Sequence, residues 1–145
     1  MTNEEYGKYV KKKQPKSPIS KNMLLAFISG GVICCIGQAV TDLFGGFGLE
    51  KADAAAAAGI SMVFLGAFLT GIGVYDRLAK YCGGGTLVPI TGFANSVVSP
   101  ALEFKAEGFV TGMAAKMFII AGPVIVFGIS ASVIYGLILV LFGLA

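Results

Sequence analysis

The sequence carries 28 consecutive residues, Phe118 to Ala145, without one charged side chain. At a rise of ~1.5 Å per residue, a helix of that length exceeds the ~30 Å hydrocarbon core of a bilayer. A second apolar run, Met23 to Thr41, meets its first charge at Asp42. A third opens with Ala54–Ala58 and reaches Tyr75, where Asp76, Arg77 and Lys80 close it. Hydrophobic residues make up 56% of the 145-residue chain and charged residues only 13%, so the reading is an all-α integral membrane protein.

The charges are unevenly placed. Residues 1–22 hold six lysines (Lys8, Lys11, Lys12, Lys13, Lys16, Lys21) against Glu4 and Glu5, a local net charge of +4 in a chain whose total is +3. The basic character belongs to this arm alone, and it gives no support to a nucleic-acid groove. The expected partner of the N-terminal lysines is anionic lipid, with a solvated tail as the alternative. Lys51 alone lies between the first two apolar runs, whereas Arg77 and Lys80 follow the second. The positive-inside rule therefore puts the N-terminus in the cytosol. Because 22 hydrophilic residues precede the first run and no A-x-A site follows, it reads as a span rather than a cleaved signal.

Histidine is absent, which removes Ser-His-Asp and Cys-His catalysis and most catalytic zinc sites. Cys34, Cys35 and Cys82 form no C-x-x-C pair, so they read as small packing residues, with no metal site and no cofactor expected. The carboxylates Asp76, Glu103 and Glu107 flank apolar segments as interface charges do, and the chain reads as no enzyme.

Between the second and last apolar runs the pattern changes. Cys82-Gly83-Gly84-Gly85-Thr86 leads into Leu87-Val88-Pro89-Ile90-Thr91-Gly92-Phe93-Ala94-Asn95-Ser96, apolar in balance but rich in helix breakers. The triple glycine lacks the G-x-x-x-x-G-K-[ST] context of a phosphate loop. Broken backbone at membrane depth is tolerated only inside protein or beside water. Residues 83–98 are therefore expected to form a re-entrant or discontinuous element, the alternative being an extramembrane loop. Ser99-Pro100 then resembles a helix start. The expected organisation is a cytosolic arm over 1–22 and a transmembrane domain over 23–145, with spans near 23–41, 57–75, 100–121 and 123–145.

Small residues recur at helical spacing: Ala26, Gly30, Cys34, Gly37 and Thr41 on the first span, Gly59, Gly66, Thr70 and Gly73 on the second, Gly128, Ser132 and Gly136 on the last. Such seams let backbones approach closely in lipid and predict a compact multi-helix bundle, with a homo-oligomer also open. Gln38 is expected to hydrogen-bond across helices. Transport fits the polar groups better than catalysis. Thr86, Thr91, Asn95 and Ser96, with the helix break at Pro89, form the candidate solute path, although Asn95 and the threonines also suit helix caps. Lys105 and Lys116 are added to the candidate path as a basic face for an anionic solute: on the helix expected over 100–121 they share a side, and Lys116 lies well inside the apolar layer, where an ammonium is functional or snorkels.

Three stretches are familiar as a set: Gly30-Gly31-Val32-Ile33-Cys34-Cys35-Ile36-Gly37-Gln38, Leu69-Thr70-Gly71-Ile72-Gly73-Val74-Tyr75-Asp76-Arg77, and Val88-Pro89-Ile90-Thr91-Gly92-Phe93-Ala94-Asn95-Ser96. With them the sequence resembles the SpoVA family of spore inner-membrane proteins, and within it the AC type, from about Tyr9 to the C-terminus. The AE type shares the Gly-Gln, Tyr-Asp and Val-Pro-Ile-Thr patterns but is less similar through the basic arm and Phe-Ala-Asn-Ser. The resemblance implies a channel subunit of the forespore and spore inner membrane. With other SpoVA membrane and soluble subunits it would move dipicolinic acid and its calcium chelate, inward in sporulation and outward in germination. Members of this kind are described as mechanosensitive. The remaining readings are a non-conducting assembly subunit and a coupled small-anion carrier. Cys82-Gly83-Gly84-Gly85-Thr86 and Pro100 depart from the commoner family pattern.

Overall fold

The computed structural model describes residues 2–13 and 17–143; Lys16 of the arm and residues 144–145 of the expected last span lie outside them. The arm forms helix α1, Asn3–Lys13. Its start is a reciprocal cap: the Thr2 N–H donates to Glu5 Oε2 at 2.8 Å and the Glu5 N–H to Thr2 Oγ1 at 3.3 Å. Glu4 and Glu5 at the first turn and Lys11–Lys13 at the last complement the helix dipole.

Helices α2 (Ile19–Gly46) and α3 (Lys51–Gly71) form the first pair of apolar helices. Both stop in the same way. Gly48 at φ +90° lets Leu49 bond back to the Phe44 carbonyl, and Gly73 at φ +70° lets Val74 bond back to the Leu69 carbonyl at 2.9 Å. Glycine enters this left-handed region without the penalty of a Cβ, which ends each helix within one residue. Gly73, expected in a packing seam, is therefore a helix stop with no neighbour in reach of a side chain.

Helix α4 (Tyr75–Cys82) is short and amphipathic, with Tyr75 buried and Asp76, Arg77 and Lys80 exposed. Gly83 at φ +52° ends it, α5 (Gly84–Leu87) follows for one turn, and Pro89 at ψ 162° separates α5 from α6 (Ile90–Glu103). The expected discontinuity in 83–98 is thus two backbone breaks around a single turn.

The remainder differs from the sequence reading. Pro100 lies inside α6 near its C-terminal end rather than opening a helix. A proline there removes one donor from a helix about to end, a smaller loss than in mid-helix. A 3-10 turn (Lys105–Glu107), Gly108 at φ +105° and a π-helical segment (Phe109–Ala114) lead into α7 (Ala115–Leu141). The expected 100–121 span is consequently interrupted, and Pro123 sits within α7 instead of beginning a last span. Among the described residues, three helical stretches are long and apolar enough to cross a bilayer, Ile19–Gly46, Lys51–Gly71 and Phe109–Leu141, where four were expected.

The centre of the bundle is α3 against α6. Ala54, Ala58, Met62, Gly66 and Thr70 are buried at steps of four, one continuous ridge of α3. Gly59 lies off that ridge. Gly66 faces Thr91 and, one turn on, Thr70 faces Asn95, so α6 runs parallel to α3. It continues two turns past Asn95, which brings the Glu103–Gly108 turn to the end of the bundle where α3 meets α4. α2 packs on α3 and α5, and α7 packs on α6. No residue of α2 and only Ala121 of α7 is buried, so both helices present apolar side chains outward, as contact with lipid requires.

Candidate functional site

Close approach of backbone to backbone builds the site. A Cβ on Gly66 would lie 2.8 Å from the Thr91 carbonyl oxygen and 2.9 Å from Thr91 Cα, so any larger residue pushes α6 away from α3. Gly92 similarly faces the carbonyls of Thr86 and Leu87, and Gly85 faces Ser29 and the Ala26 carbonyl of α2. A Cβ on Gly30 would lie 3.5 Å from Gly85, in ordinary contact, and one on Gly37 would reach only the end of Met62. These glycines hold the broken segment between α2 and α3.

Hydroxyls then lock it. The Tyr75 hydroxyl donates to the Thr86 carbonyl at 2.7 Å and sits 2.8 Å from Thr91 Oγ1, which is thereby left to donate to the tyrosine oxygen. Tyr75 thus ties α4, α5 and α6 together. Thr86 Oγ1 donates to the Gly83 carbonyl at 3.0 Å, bracing the first backbone break. On the neighbouring turn of α3, Thr70 Oγ1 lies 2.7 Å from the Gly66 carbonyl and 2.9 Å from Asn95 Oδ1. One hydroxyl proton serves one of these acceptors well; turning the Asn95 amide over supplies a donor to Thr70 and satisfies both. Among the described residues, no buried side-chain nitrogen or oxygen lacks a partner.

Beside this cluster is a cavity of about 330 Å³. Its walls are α2 (Val32, Ile33, Ile36), α3 (Met62, Leu65, Leu69) and α4 (Leu78, Cys82), with Tyr75, Thr86 and Thr91 at the inner end. The wall is almost entirely carbon, because the lining hydroxyls turn away to one another or to backbone carbonyls. A second, shallower groove of about 410 Å³ lies between α2 and α5.

Of the residues singled out from sequence, Thr86, Thr91 and Asn95 converge on the junction of α3, α4 and α6. Pro89 instead lines the α2–α5 groove. The Ser96 hydroxyl turns back to the Phe93 carbonyl at 2.7 Å. Lys105 and Lys116 line neither cavity, because the breaks at Phe104–Gly108 remove the single helix on which they would share a face. Lys116 Nζ lies 4.2 Å from the centre of the Phe104 ring, an ammonium drawn back along α7 onto an aromatic face. Gln38 bonds Asp42 of its own helix at 2.8 Å rather than another helix. Gly128 and Gly136 face open space and pack on nothing within the chain. Sequence reasoning missed Tyr75, Gly85, Gly92 and Gly112, the last of which sits against the Phe104 carbonyl and Glu107. The signal for Tyr75 was a tyrosine two residues after a glycine helix stop, Gly73, where a buried ring needs a partner for its hydroxyl.

No solved structure matches the chain. It is 45% identical over 141 residues to stage V sporulation protein AC of Bacillus subtilis (strain 168), an overlap covering 95% of this chain and 94% of that protein. Residues 22–138, which contain α3 to α6 whole and all but the first three residues of α2, match the model of the SpoVAC/SpoVAEB sporulation membrane proteins. A basic arm, three helices able to span a bilayer and a twice-broken segment clamped between them are thus the architecture of a sporulation membrane protein, and the chain belongs to the SpoVAC/SpoVAEB family.

Proposed function

We propose that the protein is a subunit of a conduit moving dipicolinic acid and its calcium chelate across the forespore and spore inner membrane, opening under membrane tension. It acts with other SpoVA membrane and soluble subunits, and the chain itself performs no catalysis. The observation that carries this reading is the interruption of helical backbone at Gly83 and Pro89 inside a bundle of apolar helices, since broken backbone at membrane depth accompanies permeation paths in many transporters.

The parallel course of α3 and α6 supports a re-entrant arrangement. If α3 returns the chain to the cytosolic side, α5 dips to the depth of Gly66, α6 climbs back out, and α7 crosses once more. Arg77, Lys80 and Lys105 then gather at the same end as the N-terminal lysines, with Lys116 reaching toward it, and Lys51 stands alone at the other. That distribution is what the positive-inside rule asks of an N-terminus in the cytosol. In this frame Thr86, Pro89, Thr91, Asn95 and Ser96 flank the path, and Lys105 and Lys116 stand at its cytosolic end. The calcium chelate, being neutral, needs no cationic wall.

An assembly role is favoured by a different observation. Among the described residues every buried hydroxyl already has a partner inside the bundle, so the site offers a solute no free polar group, while α2 and α7 leave broad apolar faces for other subunits. Reconstitution separates the two readings. Pure protein in liposomes loaded with calcium dipicolinate is expected to release its load on osmotic downshift; retention by the pure protein, with release only when other SpoVA subunits are added, assigns it the assembly role. Asn95→Leu is expected to lower dipicolinate content in spores while the protein still inserts. Normal dipicolinate content in such spores would remove Asn95 from the path.

A further inference from the structure

We propose that the cavity between α2, α3 and α4 is a slot for one acyl chain of a membrane phospholipid. Its volume, about 330 Å³, is roughly twice that of an engineered apolar cavity that stays dry and binds benzene, so it suits about a dozen carbons. Water gains little there, because the hydroxyls at the inner end are already paired, Tyr75 with Thr91 and the Thr86 carbonyl, and Thr86 with the Gly83 carbonyl. The slot is continuous with the outer surface of the candidate spans. Val32, Ile36, Leu65 and Leu78 line it and are also 54%, 45%, 40% and 46% exposed, so it opens sideways along the apolar faces of α2 and α3. In a bilayer the medium at that opening is hydrocarbon, and a lipid tail fills apolar space that would otherwise stay empty.

Charge at one end fits the head of the same molecule. α4 turns Leu78 and Cys82 into the slot and leaves Arg77 and Lys80 exposed, and α2 begins nearby with exposed Lys21. These three cations stand at the end of the bundle where α3 meets α4; with Lys105 on the neighbouring turn they face Asp76, Glu103 and Glu107, and Lys21, Arg77 and Lys80 lie on the two helices, α2 and α4, that wall the slot, where a lipid phosphate would meet them. The assignment is independent of solute movement, since occupancy is read without any flux.

The test uses the full chain in phosphatidylglycerol vesicles containing a small share of phospholipid with a diazirine near the tail end. After irradiation, labelled residues are mapped by mass spectrometry. Met62 and Tyr75, 7% and 3% exposed, are reached only by a tail that has entered the slot, whereas Phe127, 75% exposed on α7, reports bulk lipid. Labelling at Met62 and Tyr75 within about threefold of Phe127 is expected for a lipid-filled slot. Yields about tenfold lower, or labelling of the same two residues by a water-soluble diazirine instead, overturn the proposal. Val32→Phe narrows the opening and is expected to reduce Met62 labelling about fivefold with Phe127 unchanged. Leu78→Phe repeats the experiment from the α4 side should the first variant fail to fold, and undiminished labelling at Met62 in a folded variant also overturns the assignment.

Discussion

Gly66→Leu is expected to be the most damaging single change in the bundle. The nearest atoms to an added Cβ are the Thr91 carbonyl oxygen and Cα, both main chain, and they cannot rotate aside as the end of a side chain does. Overpacking of that kind costs about 1–3 kcal/mol, and a contact against backbone belongs at the upper end. The loss falls on the α3–α6 contact that seats Thr91 and Asn95. The variant is therefore expected to melt well below the parent in detergent and to leave spores poor in dipicolinate. Gly128→Leu is the matched control: a Cβ added there meets nothing within 4 Å beyond its own helix turn, and the purified chain is expected to change by less than about 0.5 kcal/mol. Equal melting temperatures for the two variants would show that α3 and α6 do not pack through Gly66.

Tyr75→Phe is expected to loosen the broken segment while leaving its shape-filling ring in place. One hydroxyl serves both the Thr86 carbonyl and the Thr91 hydroxyl, and without it a buried carbonyl on α5 has no donor from α4. An orphaned buried polar group costs about 1–3 kcal/mol, more than the net value of a typical hydrogen bond. The effect should be local. Amide hydrogen exchange is expected to accelerate over residues 83–91, with α7 unchanged. Exchange that stays slow across 83–91 would mean that the glycine contacts alone hold the segment. Because Gly85 and Gly92 allow α5 to press against α2 and α6, the two variants test separate components, close backbone approach in one case and hydroxyl pairing in the other.

Some expectations were readable in the chain because they rest on local chemistry. The uncharged run from Phe118 has to be helical in lipid, and Pro89, with the glycines at 83–85, interrupts any helix that contains it. Others failed because the deciding groups are distant in sequence. Gly59, Gly66 and Gly73 look equivalent by spacing, yet only Gly66 has a backbone against it, Gly59 lies off the buried ridge, and Gly73 serves a turn. Ser99-Pro100 reads as a helix start because a serine before a proline has the right chemistry for a cap. The helix already running from Ile90 occupies that stretch. Lys105 and Lys116 share a face only on a helix that the left-handed Gly108 does not allow.

What the sequence determined alone is the solvent: uncharged runs longer than a bilayer is thick leave a chain nowhere else to place them, and the main chain within those runs must be helical because lipid offers no hydrogen bonds. Which helices touch was decided only in three dimensions. Hydrocarbon outside and hydrocarbon side chains inside are nearly the same medium, so apolarity does not distinguish a lipid-facing side from a packed one. The choice fell to steric fit and to a few hydroxyls, through the bare Gly66 against Thr91, Thr70 beside Asn95, and Tyr75 holding the break closed.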